Sequence, residues 1–111
     1  MDILTATMAF AALSQPTRLE AFRLLAQAGP DGLRAGAIAD HLGVVASTLS
    51  HHLAQLEQAG LVHSRRQGRH IIYACHPTRP ERLCDYLIES CGTVAVEQRT
   101  PFGPQPVAAR G

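Results

Sequence analysis

Apolar residues recur at helical intervals through most of the chain. Ile3, Met8 and Leu13 predict a first amphipathic helix, and Leu19, Phe22, Leu25 and Ala26 form one face of a second that stops at Gly29-Pro30. Ser14, ahead of Gln15-Pro16, reads as the N-cap of that second helix, with proline in its first turn. From Arg34 to Leu42 the pattern is helical again, and Gly43 stands where a helix ends in a left-handed turn. Leu49, Leu53 and Leu56 then recur at i, i+4 and i+7, with Ser47 as the predicted cap and Gly60 as the stop. Beyond Gly60 the period shortens to that of a strand. Leu61 to Arg66 and His70 to Cys75 predict a hairpin turning through Gln67-Gly68. Pro77 and Pro80 precede a last helix ending near Cys91-Gly92, and residues 100–111, rich in Pro and Gly, predict a flexible tail after a single domain over residues 1–99.

A short helix, a turn at Gly43 and a second helix with a polar outer face are the parts of a helix-turn-helix, whose second helix enters the major groove of DNA. With the three leucines facing inward, Ser47, Thr48, Ser50, His51 and Gln55 lie outward, where hydroxyl, imidazole and amide groups reach base edges or phosphates. An amphipathic helix whose polar face meets only water would show the same pattern. The hairpin that follows changes the balance, because Arg65, Arg66 and Arg69 set three guanidinium groups around its turn. Such a wing clasps phosphates or enters a minor groove, although charged edge strands also occur simply to block aggregation. The fold predicted is mainly α with a two-stranded β-wing, a winged helix-turn-helix.

Composition narrows the classes further. At 111 residues with 46% hydrophobic side chains, the chain can bury one core and not two. The net charge of +1 argues for no partner, but its distribution does. Residues 47–79 hold four Arg against Glu57 alone, while the segments on either side each hold three Arg against four acids. No apolar run is long enough to span a bilayer and the N-terminus lacks a positive start, so the expected location is the cytoplasm with no membrane partner. There is no nucleophile with a supporting base and no Gly-rich phosphate loop, which argues against an enzyme. The rival from another class is a protein-interaction module whose terminal helices bind a second protein.

Four stretches resemble the ArsR/SmtB repressors: Leu13-Ser14-Gln15-Pro16-Thr17-Arg18-Leu19, Thr48-Leu49-Ser50-His51-His52-Leu53-Ala54-Gln55-Leu56, Ala59-Gly60-Leu61-Val62, and Arg65-Arg66-Gln67-Gly68-Arg69 leading to Ile72-Tyr73. The resemblance, over about residues 3–92, implies a homodimer on double-stranded operator DNA that lets go when an effector binds. It also implies five helices and pairing through the first and last of them, which places Leu4, Met8, Leu83, Leu87 and Ile88 in the dimer interface. Two copies make physical sense, since one recognition helix per chain needs a partner to read two half-sites about 34 Å apart.

The cysteines bear on the effector. Three thiols are an odd number, and a reducing compartment keeps them free. The arsenite-sensing Cys-x-Cys pair that many relatives carry before the turn is absent from Gly36 to Leu42. A second arsenic-responsive branch has adjacent cysteines at the end of the last helix, and of these only Cys91 matches, since position 92 is Gly. Asp85 and Glu89 stand without a histidine after His76, so the zinc or cobalt site of other relatives is missing. Cys84 and Cys91 are seven apart on one helix and so about 10 Å apart along its axis. An antiparallel pairing of last helices would bring Cys84 of one copy to Cys91 of the other, with Cys75 as a further ligand. Soft ions select sulfur, so a thiophilic effector such as arsenite or antimonite follows if these sulfurs converge. The alternatives are a repressor responsive to thiol oxidation or reactive sulfur, and cysteines that simply pack as small hydrophobes. The six histidines are too scattered to suggest a ligand cluster.

Overall fold

The computed structural model describes residues 1–98, with side chains described through Cys91; the predicted tail lies outside the described residues. The chain runs α1 (Ile3–Leu13), α2 (Pro16–Ala28), β1 (Leu33–Arg34), α3 (Ala35–Leu42), α4 (Ala46–Gln58), β2 (Val62–Gln67), β3 (His70–Cys75) and α5 (Arg79–Gln98). A core of Leu25, Ile38, Leu49, Leu53, Leu56, Leu61 and Val62, each nearly inaccessible to solvent, joins α2, α3, α4 and the root of the hairpin. Ala6, Ala9 and Ala12 of α1 and Leu83 of α5 close it from the other side.

Several local expectations shift by a residue or two, each for a definable reason. Ser14 ends α1 instead of starting α2, because its hydroxyl donates back to the Ala11 carbonyl at 2.7 Å. Gln15 takes the cap of α2 by accepting the Arg18 N–H at 2.8 Å, with Pro16 next in the first turn. The cap position of α4 is Val45, two residues before Ser47, which lies inside the first turn. In α2 the inward face is Ala21, Phe22 and Leu25; Leu19 and Ala26 are exposed. The last helix continues past Gly92 to Gln98.

The sheet has three strands, not two. It is antiparallel in the order β1-β3-β2, with Leu33 opposite Tyr73 and Arg34 opposite Ile72. The added strand is laid down by the loop before α3, and Gly32 makes the approach possible. Its φ is +72°, and a Cβ there would overlap the Tyr73 carbonyl oxygen. Gln67 pairs with His70, so the two hairpin loop residues are Gly68 and Arg69, with positive φ at Gly68 only, as in a type II′ turn.

Candidate nucleic-acid interface

The turn between α3 and α4 is closed by backbone. Gly43 adopts a left-handed φ of 69°, and its N–H and that of Val44 both donate to the Ala39 carbonyl, at 2.9 and 3.2 Å. Val44 is half-buried in the core and pins the turn. Leu49, Leu53 and Leu56 bury the inner face of α4, which leaves Ser47, Thr48, Ser50 and His51 exposed and Gln55 half-exposed. Every side chain the sequence assigned to the outer face of this helix therefore reaches solvent. No side chain caps α4, an omission that costs a helix about 1 kcal/mol.

A feature missed in the sequence fixes α4 from behind. Arg18 sends Nε to the Ala12 carbonyl at the end of α1, 2.7 Å away, and Nη1 to Nδ1 of His52 on α4 at 3.5 Å. A guanidinium only donates, so His52 accepts through Nδ1 and carries its proton on Nε2. Burial, then the Arg18 charge, then His51 hold its pKa below the ordinary imidazole value. The Gln15-Pro16-Thr17-Arg18 stretch is thus a joint between α1, α2 and the recognition helix. The signal available was Arg18 one turn after a Gln-Pro helix start.

The wing sorts its arginines by face, because side chains alternate along a strand and directly paired residues share a side. Arg66 pairs with Ile71, and Ser64 on the same side of β2 donates to Glu57 of α4 at 2.8 Å, so that side turns toward the recognition helix. Arg65 lies on the opposite side, where its Nη2 donates to the Asp31 carbonyl at 3.0 Å. Arg69 sits in the exposed turn. Arg34, also missed, joins Arg65 on the far side and donates to Nε2 of His70 at 3.2 Å. The structure thus turns Arg66 to the side of the hairpin that faces α4, leaves Arg69 in the exposed turn, and commits Arg65 in part to bracing the loop before β1.

At the hairpin root, His76 caps α5. Its Nδ1 accepts the N–H groups of Thr78 and Arg79 at 3.1 and 3.0 Å, and its pKa is lowered by burial, then by Arg79, His63 and Arg82. His52 and His76 are both neutral when they do their work. A histidine whose folded pKa is depressed stabilises the fold at pH above the unfolded value, near 6.5, and loses that contribution as pH falls toward the folded one. The melting temperature is accordingly expected to drop between pH 7.5 and 5.5. Changing His76→Asn, which keeps a capping oxygen, should flatten part of that drop; an unchanged slope would contradict the capping role.

The cysteines are divided. Cys75 is half-buried, its Sγ faces the Phe22 carbonyl at 3.8 Å, and burial pushes its thiol pKa up. Cys84 and Cys91 are exposed on α5. Among the described residues no three His, Cys, Asp or Glu side chains gather to hold a metal ion, so Cys75, Cys84 and Cys91 form no cluster within one chain. Leu83, expected in a dimer interface, is buried in the chain's own core, because the first turns of α5 lie over that core. Leu87 and Ile88, one turn further on, are exposed, as are Leu4 and Met8 of α1, the helix against which α5 packs.

Comparison with known proteins agrees with this geometry. The family model described as HTH_20, a helix-turn-helix domain, matches residues 13–65. The transcriptional repressor SdpR of Bacillus subtilis is 39% identical over 69 residues, 62% of this chain and 73% of SdpR. The arsenic resistance transcriptional regulator ArsR1 of Pseudomonas putida is 34% identical over 80 residues, covering 72% of this chain and 61% of ArsR1. Among solved structures, HlyU from Vibrio cholerae superposes with a TM-score of 0.65 at 26% identity, over 78% of this chain and 94% of HlyU. The homodimeric winged helix-turn-helix DNA-binding domain of Mb0332 from Mycobacterium bovis, described as a possible ArsR-family regulator, does so at 0.66 and 25% identity, over 92% of this chain and 87% of that one.

Fold and site together define a DNA-binding transcriptional regulator of the winged helix-turn-helix class, not an enzyme. No helix among the described residues is long and apolar enough to cross a membrane. The chain belongs to the ArsR family.

Proposed function

We propose that the protein is a cytoplasmic homodimeric repressor that covers a two-fold symmetric operator and releases it when a thiophilic effector, arsenite or antimonite, binds Cys84 of one copy together with Cys91 of the other. The observation that carries the effector reading is that both thiols are exposed on α5 beside exposed Leu87 and Ile88, with no ligand cluster among the described residues. Soft-ion binding by these sulfurs therefore requires a second copy. The homodimeric Mb0332 domain supports that assembly. A ligand that joins the two α5 helices changes the angle between the recognition helices, and the half-site spacing no longer matches. Cys75 is the less available thiol, half-buried against the Phe22 carbonyl and with its thiolate disfavoured by burial.

The test is fluorescence anisotropy of the promoter duplex upstream of the protein's own gene, titrated with reduced protein under anaerobic conditions. Arsenite should dissociate the wild-type complex and leave that of Cys91→Ser bound. Indifference of the wild-type complex to arsenite would contradict the metalloid reading. Release by an oxidant or persulfide instead would move the role to redox chemistry at the same two thiols.

A further inference from the structure

Among the described residues the exposed large apolar side chains are spread unevenly over the fold. Ile3, Leu4, Met8 and Phe10 of α1 and Leu87 and Ile88 of α5 lie on two helices that pack against each other, whereas Leu19 of α2, Ile71 of β3 and Val45 each stand apart. Val45 belongs to neither helix. At 66% exposed it is nearly as bare as Ile3 and Leu4, and it stands at the first position of the recognition element. Its neighbour Val44 is turned into the core, so the pair does not simply continue an apolar run.

Position 45 is also one where helix chemistry favours a different residue. An N-cap prefers Ser, Thr, Asp or Asn, and valine is among the poorest choices because it offers the free N–H groups no acceptor. The local rule is broken without any gain inside the folded chain. Ala46 and Thr48 are exposed as well, and Thr48, three residues after Val45, lies on the same side of the helix start. The leading edge of α4 thus presents the methyl groups of Val45, Ala46 and Thr48 ahead of the hydrogen-bonding set Ser47, Ser50, His51 and Gln55. In the major groove only thymine offers an apolar group, its C5-methyl, and residues at the start of a recognition helix are those that meet base edges.

We infer that Val45 is a specificity-determining residue that reads a thymine C5-methyl in each half-site. This rests on the DNA-binding reading and adds to it the base class recognised. The contact selects thymine over cytosine and uracil without a hydrogen bond, and burying one methyl group accounts for about a fourfold preference per half-site.

The experiment uses full-length protein and duplexes selected from a pool with a randomised core, followed by replacement of each selected thymine by deoxyuridine, which removes only the methyl group. For the wild type, one symmetric thymine pair should weaken binding about fourfold per half-site on replacement. Val45→Ala and Val45→Ser should bind the thymine duplex more weakly and be indifferent to the replacement. Val45→Ser supplies a capping hydroxyl, so its loss of discrimination cannot be assigned to a loosened α4. Equal losses in wild type and both variants, or selected half-sites without thymine, would overturn the role of Val45 while leaving sequence-specific binding intact. A pool that shows no enrichment at all would overturn both.

Discussion

Replacing Leu87 with Asp is expected to leave the monomer folded and to abolish operator binding at concentrations where the wild type binds fully. Leu87 is 49% exposed, so a carboxylate there meets water in the monomer. In the proposed dimer the same carboxylate would be buried against the partner's α1 and α5 without a cation. An unpaired buried charge costs about 3–5 kcal/mol, which weakens association roughly 100-fold or more. A single recognition helix then reads one half-site, and the linkage between two sites is lost. Sedimentation velocity and anisotropy on the same sample check both halves of the statement. A monomeric variant with full operator affinity would contradict the dimer model. Leu83→Asp is a poor substitute in this test, since Leu83 lies in the monomer's own core and its loss would unfold the chain.

The second large effect concerns the wing. Arg66 shares a side of the hairpin with Ser64, which reaches α4, and Arg69 occupies the exposed turn. If each neutralises one phosphate, Arg66→Ala with Arg69→Ala removes about four contacts from a dimer. The slope of log affinity against log salt should then become shallower by roughly 3.6, and affinity near physiological salt should fall on the order of 10²- to 10³-fold. Dimerisation should not change. Arg65→Ala is expected to cost much less affinity, because that guanidinium already serves the Asp31 carbonyl. Equal losses from Arg65 and Arg66 would mean that the two faces of the wing are equivalent on DNA.

The contrast between those arginines shows where the sequence was legible. Leu49, Leu53 and Leu56 announce α4 by spacing alone, and the same spacing identifies the outward side chains of the candidate site. The arginines of the hairpin are visible as a cluster, but their division between faces requires the register, which a one-residue error in the turn obscures. Strand β1 was invisible because two residues carry no period. It exists through long-range pairing with Tyr73 and Ile72. Ser14 does not cap α2 because its hydroxyl bonds backward to Ala11, and Ser47 does not cap α4 because that helix already begins at Ala46. Arg18 stands in a family-like stretch, yet its work, holding the end of α1 and His52, is tertiary. The cysteines are the hardest case, since the partner that would bring Cys84 and Cys91 together is a second copy of the chain.

In the proposed function this chain binds one DNA sequence as a dimer, through α4 and the wing. The most direct measurement is competition anisotropy, with the upstream promoter duplex as probe and its shuffled counterpart as competitor, at several salt concentrations. At least about a 10³-fold preference for the promoter is expected, with two chains per duplex and a steep salt dependence. Equal affinity for the promoter and shuffled duplexes, or binding that ignores salt, would contradict it.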